Sequence, residues 1–228
     1  MSERYFTKQT FSFLAALAEN NEREWFAAHQ QDYEDFVRTP ALDLISDMSD
    51  EMPAISRHFL AQPKKVGGSL MRIHRDTRFS RDKTPYKTNI GIQFRHEADK
   101  DIHAPGYYLH IEPGECFVAI GLWHPDADAL FKIREAIVQN GDAWVAARDD
   151  KTFNRHFTLE GDVLANAPRG FAKNHALVED LKRKDFIGLA SLSEATATSK
   201  NLRPQVVERF RQAAPYMSFL CKALELRF

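Results

Sequence analysis

Residues 71–89, M-R-I-H-R-D-T-R-F-S-R-D-K-T-P-Y-K-T-N, gather the densest set of chemically capable side chains in this sequence. Between Arg72 and Lys87 stand six formal positive charges (Arg72, Arg75, Arg78, Arg81, Lys83, Lys87) and two negatives, Asp76 and Asp82. The stretch carries +4 in a chain of net charge −1, so the remainder sums to −5. A solvated surface normally mixes its signs, and concentrated cations make a footprint for an anion. Arginine offers a rigid fork of donors that fits phosphate or carboxylate oxygens in pairs, and lysine adds a mobile point charge. Arg72, Arg75, Arg78, Ser80, Lys83, Tyr86 and Lys87 are therefore the candidate ligand-binding residues. Thr84 and the backbone amides of a turn would complete the cradle.

Two other readings fit the same residues. Asp76 and Asp82 can pair with arginines of their own stretch, giving a purely structural salt-bridge network with no ligand. Cations interleaved with Phe79 and Tyr86 can hold phosphates and stack on an unpaired base, which would make a nucleic-acid-binding module. The short footprint and the acidic remainder favour a small anionic ligand over a nucleic acid.

For catalysis the candidates are His110, Glu112 and Asp76. On strands, His74-x-Asp76 and His110-x-Glu112 each set an imidazole and a carboxylate on one face, which would suit a metal if the strands adjoined. Arg72 and Arg78 on that same face would repel a cation, so neither a metal nor a cofactor is expected. No glycine-rich phosphate loop, dinucleotide fingerprint or nucleophile elbow occurs. Trp123-His124-Pro125 closes a strand, and the tryptophan reads as a cap on the core rather than a pocket mouth. Cys116 and Cys221 stand alone and read as buried reduced thiols.

The elements that must position these residues follow from periodicity. Thr7 or Thr10 caps a first helix with Phe11, Leu14, Leu17 and Ala18 inward, and Asn20-Asn21 breaks it. Asn21 with Glu24 resembles a capping box for a second helix carrying Trp25, Phe26, Tyr33, Phe36 and Val37. Pro40 interrupts or restarts that helix, and Leu42, Ile45, Met48 and Met52 continue its stripe. Residues 71–79 read as a strand, since Ile73, Thr77 and Phe79 favour one, and 80–85 as a turn ahead of Pro85.

Strict alternation then predicts strands over 90–96, 107–112 and 116–123, the last two joined at Pro113-Gly114. Asp126 caps a helix carrying Leu130, Ile133 and Ile137 that Gly141 ends, and Trp144 lies in a short further helix or turn. Residues 151–170 read as irregular. Leu177 and Leu181 mark a short helix, 186–189 a further strand, and a last helix begins near Leu202 and kinks at Pro215. The sum is one α+β domain over 1–228: a central, largely antiparallel β-sheet flanked by N-terminal and C-terminal helices.

Several of these motifs together resemble a family from bacteria and fungi, domain of unknown function 2461. They are Arg72-Ile73, Arg75-Asp76, Arg78-Phe79-Ser80 and the run from Asp82 to Thr88. Phe11-x-Phe13-Leu14 with Asn20-Asn21 and Trp25-Phe26, Gly106-Tyr107-Tyr108, and Pro168-Arg169-Gly170-Phe171 fit as well. His74, Thr77 and Arg81 fall where the family's pattern is looser. The resemblance covers nearly the whole chain; it implies a single intact domain and no particular activity.

With 228 residues, 43 % of them hydrophobic, the chain can bury a sizeable core. No apolar run approaches the ~20 residues of a membrane helix, and no basic segment leads into a hydrophobic one at the N-terminus. A cytoplasmic protein with no membrane partner is expected. The sequence names neither a reaction nor an oligomeric state.

Overall fold

The alternating segments in the middle of the chain pair into an antiparallel sheet, and the reason lies in their two-residue period. In the computed structural model, which describes residues 4–98 and 104–228, six strands take the order β1-β2-β3-β4-β6-β5. They are β1 (Phe59–Leu60), β2 (Ile90–His96), β3 (Gly106–Glu112), β4 (Glu115–Leu122), β5 (Thr158–Glu160) and β6 (Phe186–Leu192), each antiparallel to its neighbours. Phe94, Tyr107, Ile120 and Gly188 stand in one row across four strands, and Ile92, Leu109, Val118 and Ala190 in the next. Their shared face is the core face, because a register with period 2 sends every second side chain to the same side.

Helices from both ends of the chain cover that face. Thr7 caps α1 (Lys8–Glu19) in a capping box with Thr10. Next come α2 (Arg23–Ala28), α3 (Gln30–Tyr33), a π-helical turn over Glu34–Arg38 and α4 (Thr39–Ile55), with Pro40 in the first turn of α4. After the sheet's first four strands come α5 (Ala127–Gln139), α6 (Gly141–Arg148), α7 (Lys151–Asn154), α8 (Val178–Leu181) and α9 (Glu194–Ala197). The chain closes with α10 (Leu202–Gln212) and α11 (Ala214–Ala223). Phe210 of α10 packs against Phe94 and Tyr107, and Trp144 of α6 meets Phe186, Tyr216 and Phe219. The α+β class and the flanked antiparallel sheet are as the periodicity predicts.

Five expectations need correction. Residues 71–79 form no strand. Only His74 bridges, to Tyr86, and the backbone exchanges Arg75 N–H to the Pro85 carbonyl (2.9 Å) and Lys87 N–H to the Ile73 carbonyl (2.8 Å). Beyond that short hairpin, Asp76 and Asp82 accept from the amides of Arg78 and Thr84, local bonds that compete with a ladder. Asn21 does not cap α2, whose N-cap is Glu22 with no side-chain cap. Asn140, not Gly141, ends α5, and Gly141 opens α6. Residues 151–170 hold α7 and β5, whose few residues are too short for periodicity to register. At the C-terminus the helix divides at Ala213, with Pro215 in the first turn of α11, where a missing N–H costs little.

Candidate functional site

The charged stretch is an excursion from the edge of the sheet. Ser69 and Met71 bond the edge of β2 (Gln93 N–H to the Ser69 carbonyl 2.8 Å, Met71 N–H to the Gly91 carbonyl 2.9 Å). The chain then leaves, turns back through the 73–75/85–87 hairpin, and re-enters the sheet as β2 at Ile90. What pins the excursion is Asn21. Its side-chain amide donates to the Tyr86 carbonyl and its oxygen accepts from the Tyr86 amide, both at 3.0 Å, as a backbone partner would. The Tyr86 ring is buried and stacks on Phe26 of α2, centroids 4.1 Å apart. Tyr86 is thus an anchor as much as a wall.

The two acids of the stretch are consumed locally. Asp76 takes both Nε (3.0 Å) and Nη2 (2.7 Å) of Arg78, and Asp82 pairs with Arg75, which also donates to Thr84. Hydrogen bonds from the Arg78 side chain, then from its backbone amide, hold the Asp76 carboxyl down at about 2. The Arg75 side chain, then the Thr84 amide, hold Asp82 at about 2 as well. Lys83 donates to the Thr77 carbonyl at 2.8 Å. Among the described residues no carboxylate lies within ion-pairing distance of Arg72, Arg81, Lys83 or Lys87. The expected excess of +4 therefore survives the pairing. Lys87 is half-buried, and burial, then the charge of Arg72, push its ammonium below the ordinary lysine value.

Beside the hairpin lies a groove of about 710 Å³ between the α1–α2 junction and the excursion. Of the candidate ligand residues, Arg75, Lys83 and Tyr86 line it; Arg72, Arg78, Ser80 and Lys87 do not. Sequence reasoning missed that Glu22, Arg23 and Glu24 face the same groove. Their arrival depends on the Asn21–Tyr86 pairing across 65 residues, which no local signal carries.

The second set of candidates sits on the opposite face of the sheet from the helices. His110 Nε2 lies 3.0 Å from Glu112 Oε2, and its Nδ1 lies 3.0 Å from the Tyr108 hydroxyl and 3.3 Å from Asn89 Nδ2. The Thr88 hydroxyl donates to the other Glu112 oxygen at 2.6 Å. Asp76 is not part of this group, so the three catalytic candidates do not converge. Nor do the two His-x-acid pairs adjoin: His74 faces Tyr86, and the third donor beside His110 and Glu112 is Glu115, from across the β3–β4 turn. These three donor atoms lie within 4.8 Å of one another, close enough to share a cation, although His110 and Glu112 already satisfy each other.

Next to His110 is a concavity of about 660 Å³, walled by Met71, Tyr108, Phe117, Ile187, Leu189 and Trp123 among others. Phe117 stacks on His110, ring centres 4.6 Å apart and planes within 7°. Trp123 is 71 % exposed and stands at this concavity, not over the core. Two residues before it, still within β4, Gly121 has φ +105, and a Cβ there would come within 1.9 Å of the Phe186 carbonyl oxygen. Cys116 and Cys221 are free and buried, and burial pushes both thiols up, Cys221 to about 12. Among the described residues no helix is long and apolar enough to cross a membrane.

A family model described as a conserved hypothetical protein, DUF2461, matches residues 9–219. No curated protein and no solved structure matches the chain.

Proposed function

The chain belongs to the DUF2461 family, and from its own residues we propose that it is a cytoplasmic protein that binds a small phosphorylated or carboxylated molecule through residues 72–87, as an enzyme on such a substrate. The observation that carries this reading is the set of four cations, Arg72, Arg81, Lys83 and Lys87, that have no carboxylate partner among the described residues while both local acids are spent on Arg75 and Arg78. A lysine kept half out of water beside an arginine is destabilised until an anion arrives, and the arriving anion recovers that energy. Arg75, though paired, leads the charge into the groove with Lys83. The two free buried thiols fit a reducing compartment.

The test uses thermal melts with inorganic phosphate and with citrate. Lys87→Met removes the repelled charge and keeps the stem. It should melt higher than wild type by roughly 2–4 °C without anion, the shift of about 1 kcal/mol in a chain of this size. Lys83→Met, at the groove itself, should lose the rise that phosphate or citrate gives wild type. A wild type indifferent to both anions would overturn the proposal. A second reading rests on Phe79, which is 95 % exposed with the Arg78 guanidinium 5.8 Å from its ring centre, a pairing that suits a stacked base. Melts with a short single-stranded oligonucleotide separate the two: stabilisation by the oligonucleotide but not by the small anions favours the nucleic-acid module.

A further inference from the structure

We infer that the open face of the sheet is a second, acyl-transfer site, in which the Tyr108 hydroxyl is the nucleophile, His110 its base and Glu112 the positioning residue, acting on an ester with an apolar body. This does not depend on the anion reading.

The geometry is directional. Glu112 accepts at His110 Nε2, so the neutral imidazole carries its proton there and presents Nδ1 as an acceptor. The nearest hydroxyl donor to that nitrogen is Tyr108, at 3.0 Å. Positions 108, 110 and 112 share one face of β3, and the order acid, imidazole, hydroxyl is that of a base-activated nucleophile. Thr88, at 2.6 Å, holds Glu112 from the other side.

Gly91 makes the room for it. A Cβ on Gly91 would come 2.8 Å from the Tyr108 hydroxyl and 2.9 Å from the Met71 sulfur. Burial pushes the phenol up to about 12, so at neutral pH the oxygen is not a standing phenolate; the proton must leave as the new bond forms. Asn89 Nδ2 is 3.4 Å from that oxygen and 3.3 Å from His110 Nδ1, two long contacts that its amide can give up to donate to a developing oxyanion. Met71, Phe117, Ile187, Leu189 and Trp123 supply apolar walls for the ester's body.

In the first step the phenolic oxygen bonds the ester carbonyl carbon while its proton passes to His110 Nδ1. The ester C–O bond then breaks, and the departing alkoxide takes that proton. In the second step water attacks the acyl-tyrosine with His110 again as base. Acid leaves, and the phenol regains its proton.

The full chain is treated with 4-nitrophenyl butyrate, following nitrophenolate release and locating the butyryl group by peptide mass spectrometry. The expected result is release that requires Tyr108, is lost in Tyr108→Phe, and slows on the order of a hundredfold in His110→Gln. Any trapped acyl group should be found on Tyr108. Butyrylation confined to lysines, release unchanged in Tyr108→Phe, or equal rates in wild type and His110→Gln would each overturn the inference. Should His110→Gln fail to fold, nitrogen NMR of the wild type decides. A proton on Nδ1 rather than Nε2 overturns the relay, and an unprotonated Nδ1 together with release lost in Tyr108→Phe supports it.

Discussion

At the scale of single residues, the excursion is organised by two short-range ion pairs that differ in kind from the cations around them. Asp76 and Asp82 are exposed, yet each accepts from an arginine side chain and a backbone amide. Both therefore titrate at about 2 in the folded chain, against 3.8 ordinarily. A carboxyl depressed by folding contributes stability above its unfolded value and loses it as pH falls through the folded one. The turn should thus hold its order down to pH 4 and loosen between 4 and 2. Carboxyl carbon NMR checks this directly: midpoints near 2 are expected for both groups, and midpoints near 4 would mean that the pairs are not populated in solution.

At the scale of elements, the joint between α1 and the excursion is a single side chain. Asn21→Ala deletes one donor and one acceptor to Tyr86, and the stranded amide and carbonyl put the cost at about 1–3 kcal/mol. Hydrogen exchange should show the Arg75 and Lys87 amides opening faster while β3 and β4 keep their protection; uniform loss across the sheet would place the anchor elsewhere. This joint also marks where the sequence stops being legible. Strands 90–96, 107–112 and 116–123 were readable because alternation is local, as was α1 with its Thr7 cap. The composition of 72–87 was readable as an unneutralised charge. Its shape was not: β-favouring Ile73 and Thr77 suggested a ladder, whereas Asp76 and Asp82 turned the backbone onto themselves. Likewise Tyr108, His110 and Glu112 were visible on one face of a strand by alternation, but Asn89 and Thr88 joined them only through the register of β2 against β3.

At the scale of the whole molecule, the N-terminal and C-terminal helices meet over the sheet, with Arg203 bonded to Asp47 at 3.0 Å and Phe210 wedged on Phe94 and Tyr107. Phe210 is fully buried, so Phe210→Ala should cost about 3–5 kcal/mol in a single denaturant transition. A loss below about 1 kcal/mol would mean that α10 is peripheral to the core. The sheet that these helices cover ends in strands of only two and three residues. An edge that short offers an incoming chain few free amides and carbonyls to zip against. The molecule thus carries its own guard against fibrillar self-templating: concentrated solutions should stay free of cross-β assemblies, and whatever crowding brings together must meet through side chains rather than backbone.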